Sequence, residues 1–294
     1  MAVDVTKMDV VAQAEAAAAS AARAAELTVG EIGDMAILER TTTLLDGIWG
    51  SSPDSPLISA STLKALAHAG NYLAAAYRDD GIVGALIGFL GLHDGALALH
   101  SHILGVSPAV QGRNIGYALK LHQRAWSLAH GIRTVTWTFD PLVRRNAYFN
   151  LTKLGAQITA YYENFYGDMP DGINVGDESD RVLVEWPLAA PSVVDVSENH
   201  GVEPDVEFLR KQGATVALSA GEDGAPVAES AVNGPIVLVQ VPTDIVALRE
   251  KDLALALDWR RAARGALGGA LNAGYVAEGM TRTGWYVLSK GGAA

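Results

Sequence analysis

The sequence contains no cysteine, which excludes disulfide bonds, thiolate metal sites and a cysteine nucleophile, and which suits a reducing compartment. The seven histidines show no H-E-x-x-H motif or similar metal-ligand spacing. A metal-dependent hydrolase is therefore not expected, and we predict a protein without a metal ion.

Positive charge and long apolar runs are also scarce. The 22 Lys and Arg residues against 33 Asp and Glu residues give a net charge of -11, which disfavours binding to nucleic acid or to an anionic membrane. The longest apolar stretch, residues 81–92, is too short to span a bilayer, and the N-terminus lacks the basic-then-apolar order of a signal peptide. We expect a cytoplasmic protein that binds neither nucleic acid nor a membrane.

What the sequence does contain is an ordered series of helix and strand patterns. An Ala-rich helix is followed by a short strand and two helices, the first with Asp34 as its cap and Gly50 as its stop. Three strand patterns separated by two Asp-Gly turns then indicate an antiparallel meander. With the later alternation of helices and strands, this order predicts an α+β fold whose mixed, mostly antiparallel sheet is flanked by helices.

A Pro- and Ala-rich stretch at residues 187–192 reads as a linker and is the best candidate for a domain boundary. It predicts an N-terminal helix within residues 1–25, a core over residues 26–187 and a C-terminal α/β extension over residues 192–294.

The stretch from Val106 to Trp126 runs from a strand through a Pro- and Gly-containing loop into a helix. Apolar residues recur at helical spacing from Ile115, so the loop leads into a helix N-terminus with unpaired N–H groups. Glycine lets the backbone approach a ligand closely, and Arg113 offers a charge-assisted contact. These features indicate a pyrophosphate cradle. The alternative is a tight strand-to-helix turn that binds nothing.

Residues 106–116, VSPAVQGRNIG, resemble the acyl-CoA-binding motif of the GNAT superfamily of N-acyltransferases, V-x-P-x-x-(Q/R)-x-x-G-x-(G/A). Every position fits except Asn114, where the family usually has Gly. Asn tolerates left-handed backbone geometry, so we expect the loop to be kept. The element order from Glu26 to Trp186 also resembles the family core. The sequence looks like larger members with a C-terminal extension, some of which are amino-acid N-acyltransferases or N-succinyltransferases.

The resemblance implies a GNAT-like fold and acyl-CoA, as acetyl-CoA or succinyl-CoA, as the co-substrate. A backbone N–H near Leu104 would polarise the thioester carbonyl, and the acceptor amine would attack it directly. The residues predicted to hold CoA are Leu104, Val106, Gln111, Gly112, Arg113, Asn114, Ile115, Gly116, Tyr117, Asn146 and Asn150.

Two histidines are candidates for the base that accepts the amine proton. Strand alternation predicts that His100 and His102 share one face with Leu104 and Val106. His102 is the preferred base, His100 the second and Glu163 a further alternative. The other interpretation is that the imidazoles are hydrogen-bonded packing residues.

The acid for the departing thiolate is harder to assign. The family often has a Tyr four residues before the Gly that corresponds to Gly155, but this sequence has Leu151 there. Tyr148 is the nearest aromatic hydroxyl and is the predicted acid. Asn146 and Asn150, at i,i+4 spacing, are predicted to share a helix face. Two arginine pairs are either ligands for phosphate or carboxylate groups or exposed charges: Arg144 with Arg145, and Arg260 with Arg261.

The leading hypothesis is an acyl-CoA-dependent N-acyltransferase that modifies a small-molecule amine, with an amino acid as the favoured acceptor. The alternative is a non-catalytic CoA-binding regulatory module, which Asn114 and the displaced Tyr favour. A Rossmann enzyme is disfavoured because its G-x-G-x-x-G fingerprint is missing. For the C-terminal extension three roles stay open: shaping the acceptor pocket, closing over it, or forming a homodimer contact.

Overall fold

The computed structural model describes residues 5–51, 56–167, 177–198, 201–229 and 233–290. The chain forms two compact units. The first comprises the residues up to Trp137 together with Pro187–Glu198, and the second comprises Thr138–Trp186 together with the residues after Glu198.

The first unit is built on five strands and five helices of the described chain. In order they are α1 (Val5–Ala24), β1 (Thr28–Glu31), α2 (Met35–Trp49), α3 (Ala60–His68), β2 (Leu73–Arg78), β3 (Gly81–His93), β4 (Ala96–Val106), α4 (Ile115–Ala129), β5 (Thr134–Phe139, which ends in the second unit) and α6 (Pro191–Ser197). The strands lie in the order β1-β2-β3-β4-β5. All neighbours are antiparallel except β4 and β5, which are parallel and are connected by α4.

Helix α2 shows how local sequence sets these elements. The Asp34 carboxylate accepts hydrogen bonds from the N–H groups of Ala36 and Ile37 at 3.0 and 3.3 Å, and Gly50 ends the helix in a left-handed conformation. Both ends are as predicted. The buried face of α2 packs on the sheet through Leu38 and Leu45.

The approach of α2 to β4 depends on the absence of one side chain. A Cβ on Gly105 would lie 2.8 Å from Leu45 Cδ2 and 3.0 Å from atoms of Ile48 and Trp49. Only glycine therefore lets this helix rest on the strand backbone.

The predicted linker is instead a packed segment. Leu188 and Val193 are fully buried, and the Leu188 N–H donates to the Arg133 carbonyl at 3.0 Å. Pro191 opens α6 at a position where a helix tolerates proline. Residues 187–198 therefore belong to the first unit.

The second unit carries the C-terminal elements. Its elements are α5 (Arg144–Tyr148) with a π-helical turn (Phe149–Lys153), β6 (Gln157–Tyr162), β7 (Arg181–Pro187), α7 (Val206–Lys211), β8 (Thr215–Ala220), β9 (Pro226–Ala228), β10 (Ile236–Gln240), α8 (Ile245–Lys251), α9 (Leu253–Ala263) with a second π-helical turn (Arg264–Gly268), α10 (Gly269–Asn272), β11 (Tyr275–Met280) and β12 (Trp285–Lys290). The strand order is β7-β6-β11-β12-β10-β8-β9, and only β8 and β10 are parallel.

A buried ionic cluster ties three segments of the second unit together. Arg260 donates to Asp140 at 2.7 Å and to Asp177 at 2.7 Å, and Arg249 contacts the same two carboxylates. Burial raises the pKa of the Asp140 carboxyl, but the hydrogen bond and charge of Arg260 and the charge of Arg249 outweigh burial and lower it to about 2. The end of β5 is thus joined to residue 177 and to helices α8 and α9.

The mixed, mostly antiparallel sheets with flanking helices confirm the predicted α+β class. Among the described residues, no helix combines the length and the apolarity needed to cross a bilayer.

Candidate functional site

The sheet of the first unit opens between its two parallel strands. Within the part of the chain that the structure describes, β4 and β5 pair at two positions: Leu99–Val135 and His100–Thr136. Yet β4 continues to Val106. The Ser107 N–H donates to the Val83 carbonyl of β3 at 2.9 Å, so alternation turns the N–H of Leu104 away from β3, toward the open edge. This is where the predicted oxyanion donor should point.

Strand β4 contains a bulge at His102. Ile87 of β3 lies opposite Ile103, and the next residue, Gly88, lies opposite Ser101. His102 is the extra residue between them. The prediction of even alternation along β4 is therefore wrong, because a bulge moves the residues before it to the opposite face.

On one face of β4, side chains contact helix α4. A Cβ placed on Gly116 would lie 3.7 Å from Leu104 Cδ2 and 3.9 Å from Val106 Cγ2, which is ordinary van der Waals contact. Before the bulge it is Ser101 that faces α4, since its hydroxyl accepts a hydrogen bond from Lys120 Nζ at 2.9 Å.

The two imidazoles lie together on the other face. His100 is the cross-strand partner of Phe89, and Phe89 lies two residues from Ile87, which packs in the core beneath α2. The ring centroid of His102 lies 5.7 Å from that of Phe89 and 6.1 Å from that of His100. Leu104 and the histidines thus sit on one strand but face opposite sides of the sheet.

Burial favours the neutral form of both histidines. Burial lowers the pKa of His100 to about 4, and the charges of His102 and Lys120 contribute. Its Nδ1 lies 3.2 Å from the Thr136 hydroxyl. Burial also lowers the pKa of His102, which is the more exposed of the two. A neutral imidazole can accept a proton, and His102 is the one open to solvent.

The loop between β4 and α4 presents a run of backbone N–H groups. Gly112 and Asn114 have φ values of 83° and 58°, so the prediction that Asn114 adopts the left-handed geometry of a glycine is confirmed. Across the described residues, no acceptor lies within hydrogen-bonding range of the N–H groups of residues 112–117. Residues 112–117 span the loop and the first turn of the 15-residue helix α4, whose dipole adds positive potential at this end.

The next turns of α4 carry polar side chains that are buried, which their spacing in the sequence does not predict. Lys120 is 3% exposed, and its Nζ lies 3.6 Å from the centroid of the Trp137 ring. Burial lowers the pKa of the Lys120 ammonium well below its usual value. Tyr117, Lys120, Arg124 and Ser127 recur every three or four residues, a spacing that suggests a solvated face.

That polar face is covered by α1 and α6. Arg124 Nε donates to the Leu188 carbonyl at 2.9 Å, and its Nη1 donates to Gln13 Oε1 of α1 at 2.8 Å. The Tyr117 hydroxyl donates to the Val196 carbonyl at 3.3 Å. Burial lowers the pKa of Arg124 to about 10, although Tyr117 and Glu198 oppose the shift. The first turn of α4 is therefore held by the 187–198 segment.

Tyr148, the predicted acid, lies in the second unit on α5. Its hydroxyl donates to Glu203 Oε2 at 3.4 Å, and the Arg282 guanidinium lies 5.1 Å above its ring. Burial and the Glu203 charge raise the pKa of the phenol. The family position, Leu151, is 2% exposed and apolar.

The two predicted asparagines lie on either side of Tyr148, Asn146 in helix α5 and Asn150 in the π-helical turn that follows it. Asn146 is exposed and Asn150 is 4% exposed.

Three further charged candidates, Glu163, Arg260 and Arg261, have ionic partners. Glu163 lies 3.4 Å from Arg264, and exposed Arg261 lies 2.9 Å from Asp258. Arg260, predicted as a ligand or a surface charge, is instead part of the buried ionic cluster. Among the described residues, no group of three or more His, Cys, Asp or Glu side chains is arranged to hold a metal ion.

Comparison with known proteins yields likeness in structure alone. No protein-family model matches the chain, and no curated protein sequence matches it. Among solved structures, an acetyltransferase of the GNAT family from Streptococcus pneumoniae is 15% identical, with 54% of this chain and 98% of that chain covered and a TM-score of 0.43. The ribosomal-protein-S18-alanine N-acetyltransferase from Escherichia coli is 14% identical, with 56% and 95% covered and a TM-score of 0.44. Arabidopsis thaliana Naa50, in complex with a bisubstrate analogue, is 20% identical, with 54% and 97% covered and a TM-score of 0.39.

Proposed function

We propose that the protein is an acyl-CoA-dependent N-acyltransferase of the GNAT type. The observation that carries the proposal is the loop at the start of α4. Six consecutive residues, 112–117, have backbone N–H groups without an acceptor among the described residues, and they begin a long helix. A pyrophosphate is the ligand that such a run of donors fits.

The donor set fits CoA along its length. Residues 111–117 hold the pyrophosphate, and Arg113 contributes its charge. The unpaired edge of β4 after His100 receives the extended pantetheine arm, and the Leu104 N–H hydrogen-bonds to the thioester oxygen. Asn146 and Asn150 remain predicted CoA contacts.

The reaction is direct transfer. The acceptor nitrogen attacks the thioester carbonyl carbon, the C–N bond forms, the C–S bond breaks, and CoA leaves as a thiolate. His102 takes the proton that the amine loses, because its imidazole is neutral and the more exposed of the pair. His100, bonded to Thr136 and with a pKa of about 4, is the weaker base and orients the site. Tyr148 returns a proton to the thiolate.

The acceptor is a small-molecule amine, with an amino acid favoured, and the acyl group is acetyl or succinyl. This assignment comes from the subgroup that the sequence resembles. The proposed cytoplasmic location instead rests on the lack of cysteine, and a homodimer contact is one of the three roles that stay open for the C-terminal extension.

A second candidate function is a CoA-binding module without catalysis. One observation favours it: the apolar Leu151 occupies the position of the family's tyrosine, and the Tyr148 hydroxyl is engaged by Glu203. Such a module would bind CoA at the same loop and would release no thiol.

A thiol-release assay separates these two functions. Acetyl-CoA and succinyl-CoA are each incubated with a panel of amino acids, and free thiol is followed with and without the acceptor. Acceptor-dependent release that survives in Tyr148→Phe but is lost in His102→Gln assigns the base and removes Tyr148 as the acid. CoA binding without any release supports the binding module, and the absence of both overturns the CoA-site proposal.

A further inference from the structure

The second unit contains a cleft of about 610 Å³ whose lining is rich in arginine. It lies among the start of α5, the residues that lead into α8, and the turn between β11 and β12. The charged residues that line it are Arg144, Arg145, Arg282 and Asp244. Three guanidinium groups and one carboxylate leave a net charge of +2 in a chain whose total is -11.

The carboxylates near the cleft are already engaged. Asp244 caps α8, since its Oδ1 accepts from the N–H groups of Val246 and Ala247 at 3.0 and 3.1 Å. Glu203 accepts from the Arg282 N–H at 2.7 Å and lies 3.3 Å from the Arg282 guanidinium. Asp244 is therefore engaged in the cap of α8, and Glu203 is engaged with Arg282.

Arg144 and Arg145 lack such a partner. In the described chain, no carboxylate lies within ion-pairing distance of either guanidinium. The stem of Arg144 is close to the β11–β12 turn, because a Cβ built on Gly284 would lie 3.2 Å from Arg144 Cδ. The stem of Arg144 thus packs against the β11–β12 turn while its charge remains uncompensated. The Thr243 hydroxyl also lines the cleft.

We propose that this cleft is a phosphate-binding site and that Arg144 and Arg145 are its principal ligands. Guanidinium groups bind phosphate oxygens through paired, charge-assisted hydrogen bonds, and two uncompensated arginines match the charge of a phosphate monoester. The phosphate belongs to a small molecule other than the CoA proposed for the α4 loop. The site stands on the second unit's own residues and does not depend on acyl transfer.

Hydrogen–deuterium exchange of the full chain with inorganic pyrophosphate tests the site and locates it. We expect slower exchange over residues 143–148 and 243–247. The Arg144→Gln, Arg145→Gln double variant should need at least tenfold more pyrophosphate for the same protection. The matched control is Lys153→Gln, Lys211→Gln, which removes the same charge from exposed positions of the same unit outside the cleft and should behave as the wild type.

Two outcomes overturn the proposal: no protection of these segments, or equal protection in both double variants. Should Arg144→Gln disturb folding, exposed Arg145→Gln alone is the variant to use, with an expected loss of several-fold. Protection over residues 112–118 reports on the α4 loop and is expected to be the same in every variant, so failure at the cleft is distinguishable from failure of the proposed CoA site.

Discussion

Asn114→Asp is the substitution that most sharply distinguishes a pyrophosphate-binding loop from a turn that binds no ligand. Asp has the size of Asn and tolerates the left-handed φ of 58° nearly as well. It adds one negative charge at the N-terminal end of α4, where the helix dipole stabilises an anion by about 0.3–1 kcal/mol. The fold should therefore be as stable as the wild type or slightly more so.

Binding of CoA should change in the opposite direction. Two unit charges about 5 Å apart interact by roughly 0.8 kcal/mol in water, and more where the effective dielectric constant is lower. With two pyrophosphate charges nearby, repulsion should cost about 1.5–2.8 kcal/mol, or roughly 10- to 100-fold in Kd. Isothermal titration calorimetry with CoA measures this loss, and thermal unfolding measures the stability.

The controls isolate charge from shape. Asn114→Gly restores the family residue and should bind CoA within about threefold of the wild type, since glycine adopts this geometry freely. The Asn114→Asp deficit should shrink between about 0.1 and 1 M salt, as the Debye length falls from about 10 to about 3 Å. If Asn114→Asp binds CoA as tightly as Asn114→Gly at low salt, no pyrophosphate sits at this loop.

Three further predictions concern catalysis and packing. His102→Gln should lower kcat about 100-fold. In the wild type, kcat/KM should rise with pH through a pKa below 6.5, because the neutral imidazole is active and burial lowers its pKa. A pH profile that is the same in the variant would exclude His102 as the base. Gly105→Ala should lower the free energy of unfolding by about 1–3 kcal/mol, because its Cβ would lie 2.8 Å from Leu45 Cδ2. Gly116→Ala should leave the free energy of unfolding unchanged or raise it by up to about 1 kcal/mol. Equal effects of the two substitutions in urea unfolding would contradict this packing. Arg260→Met should lower the free energy of unfolding by about 3–5 kcal/mol, because two buried carboxylates lose an ionic partner. The substitution of exposed Arg261, Arg261→Met, should change it by less than about 0.5 kcal/mol. A difference between the two variants below about 1 kcal/mol would show that the cluster does not stabilise the fold.

Much of the fold follows from local signals in the sequence. The caps of α2, Asp34 and Gly50, act within one helical turn, so residue type alone places the helix ends. The left-handed Asn114 is likewise a property of one residue and its neighbours. The backbone geometry of the loop before α4 could be predicted for the same reason.

Features that depend on distant partners were not predictable. The bulge at His102 arises from the pairing of β4 with β3, and the strand pattern itself contains no sign of an extra residue. Arg124 looks like part of a solvated face until α1 and the 187–198 segment, far away in sequence, cover it, and Lys120 is buried against Ser101 and Trp137.

The most direct test of the CoA site is an NMR titration of the isotope-labelled protein with CoA. Phosphate oxygens that accept hydrogen bonds shift amide protons downfield, so the largest shifts should belong to the N–H groups from Gly112 to Tyr117, with smaller changes at Leu104. Saturable shifts confined to these segments are the predicted result. CoA binding that leaves the amides of residues 112–117 unmoved, or no binding at all, would contradict the account.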